Sequence, residues 1–121
     1  MKESVLRTKS YKFAVRIVRL AQYLQKEKNE YILTKQILRS GTSIGALIRE
    51  AEFAQSEADY INKFSIALKE ANETDYWLLL LKDTDYIEIK MFDSISKDCK
   101  ELLSLLVTTI KTLKSKLKTK S

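Results

Sequence analysis

No proline occurs anywhere in the 121 residues, and the only two glycines, Gly41 and Gly45, lie four apart inside a stretch of helical periodicity. Sandwiches and barrels need turn residues at every corner, so this pattern argues against both. Long helices, by contrast, run without an interrupting residue. Apolar positions recur at about 100° per residue and mark four of them. Leu6, Phe13, Ile17, Leu20 and Leu24 share one face and predict a helix over residues 5–28. Leu33, Ile37, Ile44, Ile48 and Ala51 do the same for residues 31–55. Ser56 reads as an N-cap, with Asp59 three positions on, for a third helix over 57–81 carrying Tyr60, Phe64, Leu68, Ala71 and Leu78. A fourth, over 90–117, holds Ile95, Cys99, Leu102, Leu106, Ile110, Leu113 and Leu117 in one narrow sector. Four long helices with short polar breaks predict an all-α, antiparallel up-down-up-down four-helix bundle occupying residues 1–121 as a single domain.

Several chemistries are poorly supplied. There is no histidine, which removes the commonest general base and metal ligand. A di-iron bundle needs Glu-x-x-His pairs, so no metal and no cofactor is expected. The single cysteine, Cys99, falls on the apolar stripe of the fourth helix and reads as a core residue. No phosphate-cradling glycine loop is present. These features predict a protein that is not an enzyme. The longest apolar run, Trp77 to Leu81, is far shorter than a membrane span, and the start of the chain carries no apolar signal core. A cytoplasmic protein with no membrane association is expected.

Charge is unevenly spread beneath a net of +6. Residues 1–48 carry ten basic and three acidic side chains, residues 49–88 four and ten, and residues 89–121 eight and three. Such alternation suits affinity for polyanions, and it equally suits packing between complementary segments or subunits. On the first helix Lys9, Lys12, Arg16 and Arg19 form a basic stripe beside the apolar face. At the far end Lys111, Lys114, Lys116, Lys118 and Lys120 follow one another with no acid among the last twenty residues. Each group is either a solvated surface or a set of phosphate contacts for RNA or DNA. In the second helix Ser40, Gly41, Ser43, Gly45 and Ala46 form a patch of small residues. Close helix packing is the simpler account of it, a ligand contact the other. Ile66, Trp77, Leu80 and Leu81 point away from the main stripe of the third helix by the same arithmetic. A helix apolar on two faces is either the most central helix of the monomer or meets another subunit with one of them. Four helices in a ring bury none completely, so the subunit contact is expected. The alternative to nucleic-acid binding is an interaction module with a protein partner.

Two segments, RSGTSIGALIREA (Arg39–Ala51) and KFSIALKEANETDYWLLLL (Lys63–Leu81), resemble the bacterial four-helix-bundle family of the 23S rRNA intervening-sequence proteins. The accessory protein of diversity-generating retroelements is a more distant relative of that family. The resemblance implies a ring-like homopentamer with a basic centre, no catalytic residues, and nucleic-acid binding as the inferred role. It also implies that Ser43, Glu50, Glu70 and Glu73 make polar contacts between helices. One position departs from the family pattern: Leu47 stands where an asparagine is usual.

Overall fold

A computed structural model describes residues 2–120, except for the side chain of Lys120. Four helices account for nearly all of them: α1 (Lys2–Lys28), α2 (Ile32–Ala51), α3 (Glu57–Asp83) and α4 (Ile89–Lys120). The protein is an antiparallel four-helix bundle in which α1 packs on α2, α2 on α3 and α3 on α4. Contact between α4 and α1 closes the ring. Among the described residues there is no strand.

The periodic positions meet in one continuous core. Leu6, Phe13, Ile17 and Leu24 of α1 face Ile37 and Ile44 of α2, Phe64, Leu78 and Leu81 of α3, and Leu102 and Leu106 of α4, all fully or almost fully buried. Burial of each such side chain contributes roughly 1.5–3 kcal/mol.

Helix ends follow local chemistry. The helix α2 stops at Ala51, short of the residue 55 that periodicity suggests. The amides of Glu52, Phe53 and Ala54 turn back three residues, to the carbonyls of Arg49, Glu50 and Ala51, which tightens the last turn and ends the helix. Phe53 is left 85% exposed. Ser56 then caps α3, accepting the Asp59 amide at 3.0 Å, while the Asp59 carboxylate accepts the Gln55 amide at 3.2 Å. The α3 terminus turns through Asp85 in the left-handed region (φ 65°), with the Tyr86 amide reaching the Leu81 carbonyl at 2.9 Å.

The start of α2 is held by a residue that precedes it. Asn29, also left-handed (φ 52°), ends α1 and swings Glu30 under α2. There the Glu30 carboxylate accepts the amides of Ile32, Leu33 and Thr34 at 3.2, 3.1 and 2.7 Å. The Thr34 hydroxyl donates to it as well, at 2.8 Å. Burial raises the Glu30 pKa, but the hydrogen bonds from Leu33, Thr34 and Ile32 outweigh it and the net shift is downward.

A carboxylate whose folded pKa is depressed stabilises the fold above its unfolded pKa, and that contribution disappears as pH falls through the folded value. Replacing Glu30 by Gln is expected to cost about 0.5–2 kcal/mol at pH 7, the range for loss of a helix cap. Urea titrations of both proteins should show this gap shrinking as pH drops below the ordinary carboxylate range. A gap that is constant with pH would assign the effect to shape rather than charge.

Candidate nucleic-acid interface

The basic stripe of α1 divides between two tasks. Lys9 pairs with Glu101 of α4 at 3.0 Å, and Arg16 pairs with Asp98 at 2.7 Å. The Arg16 guanidinium also donates to the Ser94 carbonyl at 3.2 Å and to the Ser94 hydroxyl at 2.9 Å. These two cations, seven residues apart, occupy the edge of α1 that meets the antiparallel α4, so they fasten the two helices. Lys12 and Arg19 point further outward, are exposed, and have no ion-pair partner among the described residues. As a continuous anion-binding stripe, the set of four is therefore half neutralised.

The lysines of α4 are differently placed. Lys111, Lys114, Lys116 and Lys118 are exposed on its last turns. The first three have no ion-pair partner among the described residues. This end of α4 lies beside the starts of α1 and α3. Lys116 shares a cavity of about 220 Å³ with Lys2 and Glu3, and a second of about 210 Å³ with Glu57, Tyr60 and Ile61. Burial, followed by the nearby charges of Glu3 and Glu52, raises the pKa of Tyr60.

Small residues in α2 admit its neighbours closely. A Cβ on Gly41 would stand 2.8 Å from two carbons of the Ile17 side chain, so α1 occupies the space a side chain would need. Ser40 is fully buried, and its hydroxyl is hydrogen-bonded to that of Thr74 on α3 at 2.9 Å. Ser43 bonds within its own helix, to the Arg39 carbonyl at 2.5 Å. Its hydroxyl is taken up within α2 and bonds to no other helix among the described residues. Glu50 likewise points to solvent and its side chain joins no other helix among the described residues. Glu70 and Glu73 do cross between helices. Arg39 of α2 donates to Glu70 at 3.1 Å and to Glu73, and Glu73 also accepts the Trp77 indole N–H at 2.9 Å. Leu47 is half-buried against the core.

On α3, Ile66, Trp77 and Leu80 are half-buried, whereas Leu81 is 0% exposed. Leu81 belongs to the inward face with Thr74 and Leu78, spaced four and three residues apart, so it cannot serve an outer apolar face. Tyr76 and Leu79 are the large apolar side chains that α3 leaves exposed.

Cys99 is fully buried, and its thiol donates to the Ala71 carbonyl at 3.4 Å. Burial, with the charge of Asp75 adding to it, pushes the thiol up to about 12. Among the described residues no group of three or more Cys, Asp or Glu side chains could hold a metal, and no helix is long and apolar enough to cross a membrane.

Two measurements check this packing. At pH 8 a thiol-specific disulfide reagent should label Cys99 only as fast as the fold opens, and at once in concentrated urea. Immediate labelling of the native protein would contradict the burial. Replacing Gly41 by Ala should lower stability by about 1–3 kcal/mol, the range for overpacking a filled contact. A calorimetric melting point unchanged from wild type would show that Ile17 can retreat.

The chain is similar to a solved protein of unknown function from the S23 ribosomal protein family of Bacteroides thetaiotaomicron. The two are 58% identical and superpose with a TM-score of 0.90, over 92% of this chain and 99% of the other. No curated protein matches the sequence. Residues 2–108 match the family described as 23S rRNA-intervening sequence protein. By that match and that likeness, the chain belongs to the 23S rRNA-intervening sequence protein family.

Proposed function

We propose that this protein is a non-enzymatic accessory protein that self-associates and binds RNA electrostatically. One observation carries the reading: the distribution of cations left over once the helices have been joined. Asp98 and Glu101 engage Arg16 and Lys9, while Lys12, Arg19, Lys111, Lys114 and Lys116 remain without an acidic partner among the described residues. Exposed cations of this kind attract phosphates without reading sequence. Assembly into a ring, with five copies expected, would set several such groups side by side and raise the effective concentration of each weak contact.

A second reading, an interaction module with no nucleic-acid role, draws on α3. Tyr76 and Leu79 are exposed beside the half-buried Ile66, Trp77 and Leu80, and an apolar strip of this kind suits a protein surface. Self-association through that strip serves either reading.

RNA binding followed by fluorescence anisotropy across a salt series separates the two. The wild type should bind at ~50 mM salt, where phosphate contacts are strong, and weaken steeply as salt rises. Replacing Lys111, Lys114 and Lys116 together by Glu should lower the affinity and flatten the salt dependence, by about 0.7–0.9 in logarithmic slope for each phosphate no longer neutralised. Arg16→Glu should instead loosen the α1–α4 contact and reduce stability. A wild type that binds no RNA at ~50 mM salt would rule out the first reading in favour of the interaction module.

A further inference from the structure

A trough of about 330 Å³ runs between α1 and α2, with a floor of Ala14, Thr42, Gly45 and Ala46 and a rim of Arg7, Tyr11 and Arg49. Its two arginines are not equivalent. Arg7 pairs with Glu52 at 2.7 Å. Arg49 has no carboxylate partner among the described residues, and its guanidinium carbon lies 5.7 Å from the centroid of the Tyr11 ring. That ring is itself 58% exposed. Tyr11 thus lies within cation–π range of Arg49 at the rim of a concave site whose floor is built from small side chains, Thr42 the largest of them.

Gly45 adds a separate argument. At Gly41 a side chain is excluded by Ile17, but at Gly45 a Cβ would stand 3.4 Å from the nearest atoms, the carbonyl and hydroxyl oxygens of Ser10, which is ordinary contact. Packing between the helices therefore does not demand a glycine there, although a glycine weakens a helix relative to alanine. What the missing methyl does supply is depth in the trough.

We propose that this trough holds one unpaired nucleotide of a bound RNA, its base laid on the Arg49 guanidinium and its phosphate drawn by the same positive charge. Arginine planes and tyrosine rings are surfaces on which unstacked bases lie, whereas the bases of a duplex are already stacked and out of reach. The trough adjoins the first turns of α1, which lie at the same end of the bundle as the lysines of α4, so one strand can engage both. The inference rests on the RNA-binding reading and adds to it a preference for single strands.

The test compares a single-stranded oligouridine with a duplex RNA of equal length, at one low salt concentration, on the full chain. Wild type should favour the single strand. Arg49→Lys keeps the charge and removes the plane, so single-strand affinity should fall about tenfold while duplex affinity stays unchanged. Gly45→Ala should raise the melting temperature and weaken single-strand binding several-fold, a combination that a purely structural glycine does not produce. An Arg49→Lys variant that binds the single strand as wild type does would overturn the proposal, as would equal wild-type affinity for both RNAs. If the trough variants are silent while the substitutions of Lys111, Lys114 and Lys116 abolish binding, the trough is excluded and RNA binding stands. If wild type binds neither RNA, both readings fall.

Discussion

Close approach of α1 to α2 is the contact on which the rest of the bundle depends. Gly41 lets the Ile17 side chain lie where a Cβ would be, and the adjoining Ser40 sits fully buried against Thr74 of α3. The shortest helix of the four is therefore gripped from both sides, by Ile17 of α1 and Thr74 of α3, at two of its own residues that have little or no side chain. A glycine in a helix interior costs about 1 kcal/mol relative to alanine, and the packing it permits at position 41 offsets that. Each of the two hydroxyls also has a carbonyl of its own helix, Ile37 for Ser40 and Glu70 for Thr74, so neither buried polar group is left unsatisfied. With α2 fixed in this way, Arg39 reaches Glu70 and Glu73, and Glu73 holds the Trp77 indole. The register of α3 against α2 is thereby set twice, by a buried hydroxyl pair and by a half-exposed ionic network.

Electrostatics divide the molecule differently from hydrophobic packing. Along α1 the four stripe cations look alike in sequence, yet the antiparallel approach of α4 separates them into a fastened pair and a free pair. Fastening is weak per contact, since exposed ion pairs contribute about 0–1 kcal/mol. Its greater effect is on where positive potential survives. Neutralisation falls in the first half of α4, where Asp98 and Glu101 stand, and leaves the second half basic.

Periodicity made the fold legible because each helix has a single inward stripe whose spacing can be counted, and the class of the bundle followed from that spacing. It failed where a local bond decided the outcome. Phe53 lies within the helical register of α2, but three amides turning back on the last turn end the helix before it. Leu81 falls next to outward-facing residues by rough angle, yet Leu78 and Thr74 carry the inward stripe directly to it. The Glu30 cap was hidden because it stands one residue before the N-cap, outside the usual capping pattern. Site residues were harder still. Arg39 and Arg49 are ordinary arginines in sequence, and only the neighbouring helices give one a pair of carboxylates and the other a tyrosine ring. Likewise Gly41 and Gly45 form one motif on paper but meet different surroundings, since a Cβ would collide with Ile17 at the first and touch Ser10 at ordinary contact distance at the second.

The lysine-rich end of α4 raises a question of stability that its geometry answers. Like charges crowded on successive turns repel, and an isolated segment of this composition would gain little from packing. Two features compensate. Leu113 and Leu117 remain against the core, with Tyr60 and Ile61 of α3 beside them, so the turns that carry the lysines are anchored. The carbonyl end of a helix also bears partial negative charge, and a cation in its last turn, where Lys118 stands, is favoured by about 0.3–1 kcal/mol. The last of these basic residues therefore stabilises the helix that displays it, and the earlier ones rest on the anchoring leucines. The same charges that could meet a phosphate backbone need no ligand to be tolerated in its absence. Had the run been placed at the start of a helix, the dipole would have opposed it, and the positive surface and the folded end would have been in conflict.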